Sequence, residues 1–158
     1  MMIYLDIDGV MVPANSWRKP EILEDDFPKF SAIATIALNK ILFSSNAGIV
    51  LTTSHKHRFT LEEWKDIFRR RKISINKISR LPENTDYLNR KEEIINWFQD
   101  NDLGADFLII DDDKTLNGLP DSLKKNLIQT SGSVGLTDNL ADRALERIEK
   151  FKSISEIN

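Results

Sequence analysis

The sequence has no cysteine, so disulfide bonds and zinc sites built on thiolates are excluded. It also lacks any apolar run close to the roughly 20 residues that a membrane-spanning helix needs. With a net charge of −3, the chain has no general excess of positive charge that would attract nucleic acid to its whole surface. A strand that begins near residue 2 leaves no room for a signal peptide. We therefore expect a soluble, cytoplasmic protein without membrane association.

The alternation of apolar runs and helical patterns predicts the fold class. The 158 residues, 41% of them hydrophobic, are enough to bury one core and too few for two ordinary domains, so we expect one domain over residues 1–158. Helical spacing of apolar residues, with capping signals at Thr60 and Thr137, predicts four helices. They cover residues 31–44, 60–72, 90–100 and 137 onward. Five apolar runs predict strands at residues 3–10, 48–54, 73–78, 106–110 and 127–130. This order favours a doubly wound α/β fold with a parallel sheet of about five strands.

The first apolar run ends in two carboxylates one residue apart, followed by a glycine. Because successive residues of a strand point to opposite faces, Asp6 and Asp8 project to the same side, and Gly9 allows the backbone to turn away. Two acids in one small volume suit a divalent cation, and they also suit a nucleophile paired with a separate acid/base. The same residues can equally form a plain strand end and turn, so other motifs must decide.

Later stretches supply such motifs. Residues 48–54 end in hydroxyls, and residues 106–113 end in acids. Between these runs, Arg90 and Lys91 open an amphipathic helix. Ligands of open α/β sheets bind beyond the carboxyl ends of the strands, where the strand order reverses. All these residues can therefore lie in one crevice.

In this order along the chain, acid pair, hydroxyl, lysine and acid pair resemble the four signature motifs of the haloacid dehalogenase-like (HAD) phosphatase superfamily. The resemblance covers nearly the whole chain and implies a HAD-like Rossmannoid three-layer sandwich. Residues 12–47 must accommodate one helix, and residues 55–89 must accommodate a helix and a strand. Neither interval can also hold the large cap domain of small-molecule HAD phosphatases. We therefore expect an open site, which a partner protein could close as a lid.

The resemblance implies a magnesium-dependent phosphomonoesterase that acts through an aspartyl-phosphate. Asp6 would be the nucleophile, and Asp8 would protonate the leaving oxygen and then take a proton from the attacking water. An acid at the position of Asp8 separates the phosphatases from the ATPases and dehalogenases of the superfamily. Thr53 resembles the motif-two residue that hydrogen-bonds the phosphoryl oxygens, with Ser54 as the near alternative.

The resemblance also implies a set of Mg²⁺ ligands. These are Asp6, the backbone carbonyl of Asp8 and the second acid pair. Within that pair, Asp112 aligns with the direct ligand, and Asp111 lies beside it. The acid that follows them lies outside the ligand set. A calcium-binding EF-hand is excluded, because residues 111–122 lack the glutamate that such a loop needs at its twelfth position.

Basic residues at helix ends allow two interpretations each. Lys91 resembles the motif-three lysine, which offsets charge on the intermediate, but it can also be an exposed lysine of a first helical turn. Arg90 is adjacent, so a register shift of one residue would exchange the two. The basic run at residues 69–72 is better explained as a solvated helix C-terminus, where the helix dipole favours positive charge, than as a nucleic-acid surface.

Within the superfamily, the motifs look most similar to the phosphatase domain of polynucleotide kinase and to the HAD domain associated with bacterial RNA-repair proteins. In the former, one arginine in the flap after motif one and another after motif two contact the phosphate. Arg18 occupies a similar flap position, His55 stands where the second arginine would be, and Arg58 lies nearby. We expect the substrate to be a phosphate at a polynucleotide 3' end or on a nucleotide. The alternative is a non-catalytic HAD-fold module that keeps its metal site for regulation or interaction.

Overall fold

The central sheet has five strands, all paired in parallel, in the order β3-β2-β1-β4-β5. The computed structural model describes residues 1–14 and 17–157. The strands are β1 (Met2–Leu5), β2 (Gly48–Leu51), β3 (Ile78–Arg80), β4 (Phe107–Asp111) and β5 (Leu127–Gln129). The helices are α1 (Ala32–Ser45), α2 (Leu61–Arg70), α3 (Arg90–Asp100), α4 (Asp121–Lys124) and α5 (Asp138–Ile157), with a 3₁₀ turn at Lys114–Gly118. The predicted α/β fold, with a parallel sheet of five strands and no large cap, is confirmed.

Helices cover both faces of the sheet, which makes three layers. Along β1, Ile3 and Leu5 face one core while Tyr4 faces the other. The first core receives apolar side chains from α1, α2 and α5, and the second receives them from α3 and the 3₁₀ turn. All five residues of β4 are buried, as its unbroken apolar run predicts for a parallel strand covered on both sides.

The third strand was predicted at residues 73–78, and this placement is wrong. Lys72 adopts a left-handed conformation with φ of 68° at the end of α2, and the amide of Ile73 then donates to the carbonyl of Phe68. Ile73 is therefore buried as the last part of the helix-ending turn, where it packs into the core. Pairing with β2 begins only at Ile78.

The helix caps follow the sequence. Thr60 and Glu63 form the predicted capping box, in which each side chain accepts a hydrogen bond from the backbone amide of the other residue. The hydroxyl of Thr137 accepts a hydrogen bond from the amide of Leu140 at 3.3 Å, as predicted for the start of α5. None of the helices within residues 1–14 and 17–157 is long and apolar enough to cross a membrane.

The basic run after α2 was predicted to be solvated, and for Arg71 this is wrong. Its side chain is only 3% exposed. It donates two hydrogen bonds to the carboxylate of Asp25, at 2.6 and 2.9 Å, and others to the carbonyls of Pro28 and Phe27. Arg71 thus fixes residues 17–30, which we call the rim segment, over the end of α2. The sequence could not show this, because the contact joins parts of the chain 46 residues apart.

Candidate active site

Three carboxylates meet at the carboxyl ends of the adjacent strands β1 and β4. The parallel register pairs Leu5 with Ile110, so the next residues, Asp6 and Asp111, lie side by side. Asp112 completes the group, and one carboxylate oxygen from each residue lies within 4.8 Å of the others. Asp6 and Asp111 are buried, at 6% and 0% exposure. We call this group the acid cluster. It forms at the point where the chain turns from one half of the sheet to the other.

The acid cluster carries more negative charge than its surroundings favour. Burial, together with the nearby charge of Asp111, raises the pKa of Asp6 to about 8. Burial and Asp111 also raise the pKa of Asp112. Both shifts mean that the site disfavours the ionised forms of Asp6 and Asp112. This is the electrostatic environment that a bound cation would relieve.

Arg90 brings positive charge to the acid cluster. One guanidinium nitrogen lies 2.5 Å from a carboxylate oxygen of Asp111 and 3.6 Å from one of Asp6. Burial alone would lower the pKa of Arg90, but Asp111 and Asp6 outweigh this effect and raise it. The same nitrogen also donates to the hydroxyl of Thr52 at 3.2 Å. Of the two candidates for the motif-three role, Lys91 and Arg90, it is Arg90, the first residue of α3, that contacts the acid cluster.

The structure does not bring Lys91 to the acid cluster. Its backbone amide donates to the hydroxyl of Thr115 at 3.3 Å, and its side chain lies against Gly118 in the 3₁₀ turn. One helical residue corresponds to a rotation of about 100°, so adjacent side chains face different directions. Arg90 therefore contacts the acid cluster, whereas Lys91 contacts the 3₁₀ turn.

A second buried ion pair supports Arg90 from behind. Glu93, one turn along α3, has one carboxylate oxygen 3.6 Å from the Nε of Arg90 and the other 3.3 Å from the ammonium of Lys56. The Lys56 side chain is only 5% exposed. Sequence reasoning did not single out Lys56 or Glu93, although Glu93 stands three residues after Arg90, a spacing at which helical side chains meet.

Asp8 lies apart from the acid cluster, on the exposed side of the turn after β1. Its side chain is 57% exposed, and one carboxylate oxygen lies 2.9 Å from the Nε2 of His55. Gly9 follows with φ of 80°, the left-handed conformation that a glycine adopts at little cost. Asp6 and Asp8 therefore have different environments, one buried among carboxylates and one facing solvent beside a histidine.

The turn after β2 contains the predicted motif-two residues. Thr53 is buried, and its hydroxyl accepts a hydrogen bond from the amide of His55 at 3.2 Å. Ser54 is exposed. Both lie at the carboxyl end of β2, which neighbours β1 in the sheet. The structure thus brings Thr53 and His55 next to the turn that carries Asp8.

The two predicted arginines lie further out. Arg18 is exposed on the rim segment, and among residues 1–14 and 17–157 it pairs with no carboxylate of the site. Arg58 donates to the carbonyl and carboxylate of Asp26 and lies over the ring of Phe59. The Arg58 side chain is 42% exposed, and that of Asp26 is 82% exposed.

Other residues that shape the site were missed. The hydroxyl of Thr130, just beyond β5, donates to the carbonyl of Gly9 at 2.7 Å. This hydrogen bond stabilises the turn that follows β1, between Gly9 and Val10. A Cβ atom added at Gly9 or Gly132 would come within 2.1 or 2.8 Å of the Asp112 carboxylate. The position of Thr130, a polar residue at the end of an apolar run, could have marked it in the sequence as a residue of the site. Nothing in the sequence indicates that Gly132 lies against Asp112.

The chain matches a protein-family model over most of its length and is similar to solved structures. The family model for the HAD domain in Swiss Army Knife RNA repair proteins matches residues 2–141. No curated protein matches the sequence significantly. A hypothetical protein from Xanthomonas campestris is structurally similar, with 14% identity, a TM-score of 0.49, and coverage of 98% of this chain and 86% of that one. A Legionella pneumophila protein assigned to the HAD superfamily, subfamily III A, as a hydrolase has 15% identity, a TM-score of 0.48, and coverage of 94% and 84%.

Proposed function

Since the chain belongs to the family of HAD domains found in Swiss Army Knife RNA repair proteins, we propose that it is a magnesium-dependent phosphomonoesterase acting through an aspartyl-phosphate. A HAD-type hydrolase is the activity class that this membership supports. The observation that carries the finer proposal is the separation of the two acids after β1. Asp6 is buried in the acid cluster, whereas Asp8 is exposed and hydrogen-bonded to His55. A cation bound at the acid cluster would hold Asp6 in the ionised form that a nucleophile needs, while Asp8, outside the cluster, would remain available to carry a proton.

The residues of the acid cluster fit a divalent cation. Asp6, Asp111 and Asp112 each offer a carboxylate oxygen within a sphere that one ion can span, and oxygen ligands suit Mg²⁺. Their burial leaves the negative charge in need of compensation. When bound, Mg²⁺ would neutralise the phosphate charge that otherwise repels an attacking carboxylate.

The chain's own residues divide the remaining work. The Asp6 carboxylate attacks phosphorus, and the bond from phosphorus to the leaving oxygen breaks. Asp8 gives its proton to that oxygen and then takes one from the water that hydrolyses the acyl phosphate on Asp6. Arg90 holds Asp6 and Asp111 in place through its contacts with both. Thr53, at the end of β2, is the proposed hydrogen-bond donor to the phosphoryl oxygens.

We propose a polynucleotide phosphate end or a nucleotide as the substrate class. The absence of a large cap leaves room for a polymer, and the family takes its name from RNA repair proteins. Arg58 faces solvent beside the site, and its partner Asp26 is exposed. Since exposed ion pairs contribute only about 0–1 kcal/mol, Arg58 can exchange Asp26 for a backbone phosphate at little cost. Arg18 would meet neighbouring phosphates along the rim segment.

Steady-state hydrolysis of an aryl phosphate, with and without Mg²⁺, tests the chemistry. We expect turnover that requires Mg²⁺ and disappears on chelation. The Asp112→Ala variant should need more Mg²⁺ than the wild type, whereas added Mg²⁺ should not rescue Asp8→Asn, because its defect is in proton transfer. Metal binding without turnover would instead favour a non-catalytic HAD-fold module, and the same Mg²⁺ dependence in both variants would contradict the division of roles.

A further inference from the structure

His55 was predicted to bind the substrate, yet in the structure its ring contacts a carboxylate of the site. The Nε2 atom lies 2.9 Å from a carboxylate oxygen of Asp8. The His55 side chain is 35% exposed, so the contact lies at the mouth of the site. Within residues 1–14 and 17–157, the Asp8 carboxylate forms its hydrogen bond with His55.

The position of the His55 ring is fixed from two directions. Its own amide donates to the hydroxyl of Thr53, which anchors the backbone of the turn. The edge of the ring packs against Phe27 of the rim segment, with the ring centres 5.8 Å apart and the planes at 85°. Phe27 is itself 1% exposed, and its carbonyl accepts a hydrogen bond from Arg71 at 2.9 Å. The rim segment therefore limits the orientations that His55 can adopt.

Asp8 needs such a support more than Asp6 does. Asp6 is buried, and its carboxylate accepts a hydrogen bond from the amide of Ile7. Asp8 is 57% exposed beside a glycine turn, and within the described residues its carboxylate is hydrogen-bonded to His55. A ring nitrogen of histidine can accept a hydrogen bond from a carboxylic acid or donate one to a carboxylate. The same contact can therefore orient Asp8 before and after it gives up its proton.

We propose that His55 is a positioning residue for Asp8, and not a direct ligand of the substrate phosphate. This inference rests on the proposed function, in which Asp8 is the general acid. The rim segment then contributes to the orientation of Asp8 toward the leaving group, because Phe27 packs against His55 and His55 contacts Asp8.

Loss of general-acid alignment has a kinetic signature. A poor leaving group depends on protonation, whereas a good leaving group departs with little help. The His55→Ala variant should therefore lose about 10²-fold in kcat/KM on phenyl phosphate, within the range typical of proton-transfer catalysis, and much less on 4-nitrophenyl phosphate. The ratio kcat/KM is the readout because it reports the step that expels the leaving group, whereas kcat also includes hydrolysis of the intermediate, which is the same for both substrates. KM should not rise for either substrate. If His55 bound the phosphate directly, both substrates would suffer equally, and KM would rise.

Two further variants sharpen the test. His55→Gln places an amide near the position of Nε2 and should restore part of the activity on phenyl phosphate. His57→Ala is the matched control, because His57 belongs to the same turn but its ring contacts the carbonyl of Leu81 and not Asp8. It should retain the wild-type ratio of the two rates. Thermal melting of each variant identifies any loss of fold.

The outcomes separate the two proposals. A wild-type protein that hydrolyses neither aryl phosphate overturns the proposed function and this inference with it. An active wild type whose His55→Ala variant loses the same factor in kcat/KM on both substrates, or loses none, overturns the positioning role alone. A selective loss on phenyl phosphate that His55→Gln partly reverses supports it. If His55→Ala does not fold, His55→Gln is compared with His55→Leu, which has no hydrogen-bonding group at this position. His55→Gln should then be the more active of the two on phenyl phosphate, and equal activity of the two overturns the positioning role.

Discussion

Arg71 and Arg90 are both buried arginines that contact carboxylates, and the carboxylates respond in opposite ways. Arg71 has Asp25 as its carboxylate partner, and its two hydrogen bonds lower the pKa of that carboxyl. Arg90 lies among Asp6, Asp111 and Glu93, and the pKa of Asp6 still rises to about 8, mainly through burial. One arginine satisfies one carboxylate but cannot satisfy three. The comparison separates a balanced ion pair that holds the rim segment from an unbalanced cluster suited to a metal ion.

The largest expected effect comes from removing a carboxylate of the unbalanced cluster. Asp6→Asn should abolish phosphatase turnover, with a loss of more than about 10³-fold, because an amide cannot act as the nucleophile and is a poorer metal ligand. Its melting temperature should not fall, since burial and the charge of Asp111 already disfavour an ionised carboxylate at this position. Residual activity within tenfold of the wild type would remove Asp6 from the mechanism.

The second prediction concerns the arginine of that cluster. Arg90→Ala should lower kcat/KM by about 10²-fold, a loss typical of removing one electrostatic contact at a reacting centre. Lys91→Ala is the adjacent control and should change it less than twofold, because the Lys91 side chain packs on the 3₁₀ turn. A larger loss in Lys91→Ala than in Arg90→Ala would return the motif-three role to the lysine.

The balanced pair should matter for stability. Asp25→Asn should lower the free energy of unfolding by about 2 kcal/mol at neutral pH, the range for hydrogen bonds to charged groups. The folded-state pKa of Asp25 lies below its unfolded value, so this contribution is present above the unfolded value of about 4 and is lost as the pH falls through the lower folded pKa. Urea unfolding at several pH values measures this.

Asp26→Asn is the control for that experiment. The Asp26 side chain is 82% exposed and pairs with Arg58 at the surface, so its loss should cost less than about 1 kcal/mol. Equal effects of the two substitutions, or an Asp25→Asn effect that persists below the folded pKa, would show that the ion pair with Arg71 does not hold the rim segment.

The smallest expected effect tests the substrate class. Arg58→Ala should reduce kcat/KM for an oligonucleotide 3'-phosphate several-fold more than for an aryl phosphate, and the difference should shrink as salt rises, because phosphate contacts release counterions. Measurements at two ionic strengths with both substrates suffice. Identical behaviour of the wild type on oligonucleotide and mononucleotide at all salt concentrations would leave a general phosphatase.

The strands and the acid cluster were predictable for a local reason. The apolar runs locate β1, β2 and β4, and acids follow β1 and β4 in the sequence, but β1 and β2 end at Leu5 and Leu51, earlier than the predicted residues 10 and 54. Parallel pairing then brings Asp6 and Asp111 together without any detail of packing. The boundary of β3 was missed because one left-handed residue, Lys72, delays the strand, and a lysine gives no sign of that conformation.

The choice between neighbouring residues was beyond the sequence. Arg90 and Lys91 are both basic and both open α3, so their roles depend on the rotation of the helix against the sheet. Arg71 looks like its solvated neighbours until the rim segment folds over it. Likewise, nothing in the motif shows that the ring of His55 meets Asp8, because the turn after β2 decides where the ring lies.

The two glycines beside Asp112 have a consequence for the mutational tolerance of this chain. Gly132 lies in a turn, a kind of position that usually accepts other small residues. An alanine there would place its methyl carbon 2.8 Å from the Asp112 carboxylate, and Gly132 does not have the positive φ of Gly9. Any effect of the substitution would therefore come from the space that the Asp112 carboxylate occupies. Adding a single carbon at position 132 is a way to displace a carboxylate of the acid cluster while every charged residue stays in place.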